Sequence, residues 1–407
     1  MIKYFFVFIL LVSLGIRFLT LEKLELRDGQ SISFESRLTS EPQQKKGSKA
    51  FQLFYKGNRI YVYVPTGSIY SYGDILKLTG RIKVSLLNNK TVFVSMYFPR
   101  IEAKKDNLAL LFGIRQSIIS VFEKSLPSNY SALLLGIVFG IKSPLSNELS
   151  NNLKILGLMH VIAASGMNVA LIGGFLSSVF LLFLKRQKAL ALTIIGIIIY
   201  AFLAGFEPSI VRASIMGTIA FTAQILGRQR LASYSLILAA FIMILFSPYV
   251  IWDIGFQLSF LSTAGLIYIK PVIYQIGFLK KFLSFIVVGD DISTTVAAQL
   301  ATFPILLANF GLYSIFSVII NALVLWTIPA LMVIGGLGFI FSVFLEPLGR
   351  ATMYLSFPFL IYFEFIINLF SNFSGAISVR TFSWPFIASY YLLLVSFIWI
   401  FALKRNE

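Results

Sequence analysis

The chain has no cysteine and a single histidine in 407 residues. Without thiols it forms no disulfide, offers no thiolate nucleophile and holds no cysteine-ligated zinc or iron–sulfur cluster. One imidazole excludes a histidine-rich zinc site such as a two-histidine hydrolase centre. We assign no catalytic residue, no metal ligand and no cofactor. Acidic residues are also scarce, 17 Asp and Glu against 34 Lys and Arg, for a net charge of +17. The G-x-x-x-x-G-K-[ST] loop that cradles nucleotide phosphates is missing, so energy for any transport has to come from a partner ATPase or from gradients.

Hydrocarbon is what the chain has in excess. It is 57% hydrophobic with a mean hydropathy of +0.85, against about 45–50% apolar residues in soluble domains. About 20 apolar helical residues cross a bilayer core of about 30 Å, and backbone groups in lipid are satisfied inside helices. The expected fold is therefore an α-helical polytopic membrane protein, with about ten membrane segments and re-entrant elements, carrying a small extracytoplasmic β domain. Apolar runs fall at 131–142, 158–184, 189–205, 209–226, 231–250, 252–269, 293–309, 313–345, 351–371 and 384–403. The run 313–345 is too long for one span and is expected to break near Pro329 or Gly335-Gly336. The run 131–142 is too short to cross. With the polar stretch Ser143–Lys154 it suggests a re-entrant or interfacial hairpin.

Four segments follow. Residues 1–20 carry Lys3 and an apolar run; lacking a small-x-small cleavage site they read as a retained anchor rather than a cleaved signal. In residues 21–107, Lys and Arg outnumber Asp and Glu about two to one. There Phe51–Tyr55, Arg59–Val64, Ile75–Val84 and Thr91–Tyr97 are β-branched or aromatic runs separated by turn residues such as Pro65-Thr66-Gly67. They suggest an OB-like β-barrel, with Gly80 allowing a bent strand. Its basic excess reads first as solvated surface charge and second as attraction for nucleic acid. Residues 108–129 look like an amphipathic, interfacial helix: Leu111, Ile114, Ile118, Val121 and Phe122 make the apolar face, and Arg115, Glu123 and Lys124 decorate it. Residues 130–407 form the membrane domain.

The loops fix an orientation. Lys185-Arg186-Gln187-Lys188, Arg228-Gln229-Arg230, Lys270 with Lys280-Lys281, Arg350 and Lys404-Arg405 fall on alternate turns, while Glu207, Asp253 and Arg380 fall on the others. By the positive-inside rule the first set is cytoplasmic. The C-terminus is then cytoplasmic and residues 21–107 lie outside.

Polar groups inside apolar segments stand out, because an unpartnered one costs roughly 2–7 kcal/mol and such residues usually face a bundle interior or a water-filled path. The richest cluster is LGLMHVIAASGMNV, Leu156 to Val169, with His160, the Ser165-Gly166 break and Asn168. Ala163 and Ala164 permit close backbone approach. Helix packing around a satisfied core histidine accounts for it equally well. A Ser165–His160 protease is disfavoured, since five residues of separation put them about 140° apart on a helix. Glu207 precedes Pro208 and Ser209 and has Arg212 as its expected partner. Asp253 and Gln257 are four apart and share a helix face, with Ser259 next. Gln299, Thr302 and Asn309 around Pro304 make another seam, continued by Asn321.

These stretches resemble the ComEC-type competence family, the inner-membrane channel for transforming DNA. Members show a G-x-x-HL-x-A-x-SGLHV pattern, and this chain reads GLMHVIAASGMNV. LLLGIVFGIKSPLSNELSNNLKILG (Leu133–Gly157) also fits, as do LAGFEPSIVRA (Leu203–Ala213), SPYVIWDIGFQLSFLSTAGL (Ser247–Leu266) and AAQLATFPILLANFGLYS (Ala297–Ser314). The resemblance is strong over about 130–325 and weak over the β domain. Two departures stand out. The family's second histidine is Asn168 here. The metallo-β-lactamase-like domain that many members carry does not follow, so degradation of a strand would fall to a separate nuclease.

The resemblance implies passage of single-stranded DNA across the bacterial cytoplasmic (plasma) membrane during natural transformation, without catalysis. It implies a channel lined by His160, Ser165, Gly166, Asn168, Glu207, Arg212, Asp253, Gln257, Ser259, Gln299, Asn309 and Asn321. Lys45, Lys46, Lys49, Lys142 and Lys154 are the candidate DNA contacts. Expected partners are single-stranded DNA, membrane lipids, a separate DNA receptor, a cytoplasmic ATPase or helicase and a nuclease; a homo-oligomer is left open. A secondary transporter or flippase for another anionic or polar substrate shares the broken helices and midplane polar groups and is the alternative, with an intramembrane hydrolase third.

Overall fold

The computed structural model describes residues 15, 28–38, 42–45, 47–55, 58–68, 70, 73–87, 91–104, 109–141, 143–162, 165–227, 232–275, 289–314, 316–371, 376–378 and 384–403. The proposed anchor, apart from Gly15, lies outside them, as do Lys46 and Lys142.

The N-terminal part is a seven-stranded sheet made of β1 (Ser31–Arg37), β2 (Gln43–Lys45), β3 (Ser48–Tyr55), β4 (Asn58–Val64), β5 (Ile75–Leu87), β6 (Thr91–Tyr97) and β7 (Arg100–Lys104). Its order is β1-β5-β6-β4-β3-β2, with β7 also on β5. Alternation sorts the side chains. Ile32, Phe34, Phe51, Leu53, Ile60, Val62, Leu76, Leu78, Ile82, Val94 and Met96 make one buried core. β5 changes partners along its length: Ile75–Thr79 lies between β1 and β7, and Ile82–Leu87 pairs with β6. Gly80 sits at the change, where a Cβ would meet Pro99 at 3.1 Å. All four predicted strands are present. The closed barrel is not. β1 and β7 occupy both edges of the first half of β5, and no ladder joins β1 to β3 although the two strands lie near each other. Among the described residues the sheet stays open.

The rest is helical: α1 (Ala109–Ser125), α2 (Ser128–Phe139), α3 (Asn147–Ile155), α4 (Met159–Ile162), α5 (Gly166–Phe183), α6 (Arg186–Leu203), α7 (Pro208–Ile225) and α8 (Ala232–Phe246). A 3-10 turn, Pro248–Trp252, leads into α9 (Ile254–Gln275). Then come α10 (Gly289–Phe310), β8 (Leu312–Ser314), α11 (Ser317–Val324), α12 (Thr327–Phe344), α13 (Glu346–Tyr354), α14 (Phe357–Ser371), β9 (Ala376–Ser378, paired with β8) and α15 (Trp384–Leu403). Six stretches among the described residues are long and apolar enough to cross a membrane: Met159–Phe183, Arg186–Leu203, Ile254–Gln275, Ile292–Asn309, Thr327–Phe344 and Glu346–Ser371. These six meet the length and composition of a span; the expected ten are not confirmed among the described residues. Ser128–Phe139, Ala232–Phe246 and Pro385–Phe401 are apolar but shorter.

α2 is the centre of the largest core. Every residue from Ser131 to Phe139 is buried, against α1, α4, α12 and α14. The polar stretch after α2 forms α3, which packs on α14. Close approach is bought with glycine. A Cβ on Gly136 would overlap the Ile162 side chain and lie 2.8 Å from the Ile162 carbonyl oxygen.

Two expectations change. The run 313–345 breaks at Leu325-Trp326, between α11 and α12. Pro329 falls in the first turn of α12, where proline costs no hydrogen bond. Arg115 does not decorate an outer face. It is buried and donates to the Leu203 carbonyl oxygen, which satisfies a backbone acceptor at the end of α6.

Candidate functional site

α2 ends inside the core, so its last carbonyls cannot reach water. Gly140, at φ 66°, closes the helix by donating its N–H to the Gly136 carbonyl, while Ile141 N–H reaches Leu135. Side chains from other helices take two more of its last carbonyls. Asn168 Nδ2 donates to the Ile137 oxygen at 2.6 Å, and the Tyr200 hydroxyl donates to the Val138 oxygen at 3.0 Å. Ser165 Oγ in turn donates to Asn168 Oδ1 at 3.1 Å. Asn168 is 2% exposed. The Ser165–Asn168 turn is thus a clamp on the end of α2.

His160 lies apart from that clamp. It is exposed at the protein surface, with Nδ1 2.9 Å from the Gly157 carbonyl oxygen. No hydrogen bond joins it to Ser165, whose hydroxyl is committed to Asn168. Gly157 is followed in space by Ser317, and Gln299 Nε2 donates to Ser317 Oγ at 2.7 Å. Ser317 passes the bond on to the Ser314 carbonyl. Asn321 is buried in α11 and its Oδ1 has no hydrogen-bond partner among the described residues.

Arg212 is, with Arg115, a buried charge of the bundle, 7% exposed. Its Nη1 donates to the Ser259 carbonyl and the Thr263 hydroxyl on α9, rather than turning back to Glu207, which stands at the start of α7. Nη2 comes within 2.7 Å of where a Cβ on Gly166 would be. The guanidinium therefore bridges α7, the first residue of α5 and the second and third turns of α9.

The other singled-out residues have local work. Asp253 does not share a helix face with Gln257; it caps α9, accepting from Phe256 N–H at 3.0 Å, the expected role of an aspartate at that position. Gln257 Nε2 folds back to the Ile251 carbonyl. Asn309 is exposed and bonds its own helix at Ile305, and Thr302 does the same at Ala298, so neither extends a seam. Lys49 Nζ donates to the Ser68 carbonyl. Lys154 is exposed in the last turn of α3. The backbone of Lys45 lies in β2.

Sequence reasoning missed the sheet's outer face. Register puts Ala50, Tyr63 and Tyr97 in one row, and Gln52, Tyr61, Ser95 and Lys83 in the next. The Tyr63 and Tyr97 rings stack at 4.8 Å and 8°, and Tyr97 is 52% exposed. Burial and the neighbouring phenols of Tyr97 and Tyr61 raise the Tyr63 pKa above its usual 10.0. Exposed Arg81 and Lys83 continue along β5. The signal was the alternation Tyr61, Tyr63 beside a basic strand.

Apolar helices of spanning length joined to a small β-sheet are the build of a polytopic membrane protein, and its buried polar groups, Asn168, Arg212, Ser259 and Asn321 among them, are spread through the bundle. A model of the family described as "Competence protein" matches residues 137–404, and the chain belongs to that family. It is 28% identical over 214 residues to ComE operon protein 3 of Bacillus subtilis (strain 168), which spans 52% of this chain and 26% of that protein. It is also 28% identical over 291 residues to an "Uncharacterized protein" of Aquifex aeolicus (strain VF5), which spans 69% of this chain and 61% of that one. The matched part is less than two thirds of either relative's length. No solved structure matches the chain.

Proposed function

We propose that the chain passes single-stranded DNA across the bacterial cytoplasmic membrane during natural transformation, without catalysing a reaction on it. The observation that carries this reading is that the family match, residues 137–404, contains the buried polar groups Asn168, Arg212, Ser259 and Asn321. Polar groups held between apolar helices mark a pathway more often than packing alone requires. In this reading the sheet, an OB-like module outside the cell, receives the strand. Bases stack on Tyr63 and Tyr97 while Arg81 and Lys83 meet phosphates, the combination that single-strand binders use. The exposed basic turn Lys185–Lys188 against Glu207 and Asp253 supports a cytoplasmic C-terminus. A receptor, an ATPase or helicase and a nuclease act as separate partners.

The test is deletion of the gene in its source organism, followed by transformation with free DNA. Complementation uses wild type, Arg212→Gln, Asn168→Ala and His160→Ala. Transformation lost on deletion and restored by wild type but not by Arg212→Gln is the expected result. Unchanged transformation in the deletion strain under competent conditions overturns it. The second reading, a transporter of an anionic solute, then takes its place. It is favoured by the helix N-termini around Arg212, since transporters aim such termini at anionic substrates.

A further inference from the structure

Arg212 has a counterion problem that the fold does not solve. A guanidinium carries five N–H donors and stays charged. Here Nη1 is spent on Ser259 and Thr263. Nε is buried without a hydrogen-bond partner among the described residues. Arg212 makes no ion pair among the described residues. A buried charge left uncompensated costs several kcal/mol.

The α5 N-terminus adds positive potential, while the α7 and α9 starts each carry an acid. α5, α7 and α9 all begin at this end of the bundle. Gly166, the first residue of α5, faces Arg212 Nη2 and lies 3.5 Å from Ala213 Cβ, measured from an ideal Cβ position. Gly255, in the first turn of α9, faces Pro208, the first residue of α7, at 4.0 Å by the same measure. The α5 terminus, an 18-residue helix, receives no side-chain cap, because Ser165 turns to Asn168 instead. Two acids stand at this end. Asp253 is engaged by the Phe256 amide, and Glu207 precedes α7. Helix N-termini and a guanidinium edge of Nε and Nη2 share one preference, an oxyanion held by two parallel bonds.

We propose that Arg212, with the N-terminus of α5, forms a buried seat for a phosphate-class oxyanion. The phosphate comes from a nucleic-acid backbone, a lipid headgroup or free solution. The first source rests on the DNA reading above; the seat itself does not. Gly166 is part of the design, since any side chain there would fill the space next to Nη2.

The test uses the purified full chain in a neutral detergent and reads its thermal midpoint. Inorganic phosphate is titrated against chloride at equal ionic strength. Parallel arms use a short single-stranded oligonucleotide, and mixed micelles of phosphatidylglycerol against a phosphate-free glycolipid. Phosphate is expected to raise the wild-type midpoint beyond chloride, with an apparent affinity about tenfold weaker in Arg212→Gln and intermediate in Arg212→Lys. Gly166→Ala, which crowds Nη2 without removing charge, is expected to weaken the response similarly, and it decides the matter if Arg212→Gln does not fold. The arm with the largest Arg212-dependent shift names the source. A wild type that responds to none of the three phosphate probes overturns the seat, as does a folded Arg212→Gln or Gly166→Ala that responds like wild type. Transformation that survives gene deletion sinks the DNA reading alone, because the phosphate and lipid arms still report on the seat.

Discussion

Asn168 Nδ2 holds the Ile137 carbonyl oxygen at 2.6 Å, so one side chain from α5 closes the buried end of α2. Asn168→Ala leaves that carbonyl without a donor in an apolar core and is expected to destabilise the fold by about 1–3 kcal/mol. Asn168→His restores a ring N–H at the same place and is expected to lose less. Thermal unfolding of the two purified variants against wild type orders them; equal midpoints for Ala and wild type would show that the bond adds nothing.

Gly136 is fixed by space rather than by backbone angle. A methyl group there meets the Ile162 carbonyl oxygen at 2.8 Å as well as the Ile162 side chain. Gly136→Ala forces α2 away from α4 and is expected to cost about 1–3 kcal/mol, as overpacking does. Gly113→Ala is the control. Its Cβ meets nothing within 4 Å, and alanine favours the helix, so its midpoint should hold or rise.

Lys270 and Asp290 join α9 to the start of α10 at 2.9 Å. The Lys270 ammonium, helped by the Tyr274 hydroxyl and opposed by partial burial, holds the Asp290 carboxyl below its usual 3.8. A depressed folded-state pKa gives stability that is fully present above the unfolded value. That contribution is lost as the pH falls through the folded value. Midpoints measured from about pH 6 down to about pH 2 should fall less steeply in Asp290→Asn than in wild type. Parallel curves would remove the pair from the balance.

Tyr97 stands half exposed over the stacked Tyr63 ring. Tyr97→Ala should weaken binding of a single-stranded oligonucleotide by about 1–3 kcal/mol, the range for one stacked base. Lys83→Gln should instead lower the slope of affinity against salt. Fluorescence anisotropy at several salt concentrations separates the two effects, and a Tyr97→Ala protein that binds like wild type takes the sheet face out of DNA reception.

Much of this was legible before any coordinates. The four runs from Phe51 to Tyr97 became strands because their alternation commits one face to a core. β1 reads Ser-Ile-Ser-Phe-Glu-Ser-Arg, with only Ile32 and Phe34 facing inward, too thin a signal to find. Asn168 and Arg212 were visible because polar groups in apolar runs need partners. Their partners were not, since Ile137, Ser259 and Thr263 lie 31 to 51 residues away. Tyr200 was hidden inside an apolar run, where its hydroxyl looked like ordinary aromatic bulk. Arg115 was misplaced because periodicity shows which residues share a face, and not whether the other face is covered. Leu325-Trp326 breaks a run with neither glycine nor proline, so no local residue announced it.

The burial of α2 has a consequence for how the protein is made. Its 12 residues rise only about 18 Å, too little to settle across a bilayer unaided. Yet α2 leaves the ribosome before the helices that carry Asn168, Tyr200 and Gly335, the groups that close its end and admit Val138. Of the helices packed against it only α1 is made earlier, so α2 completes its burial as later segments arrive.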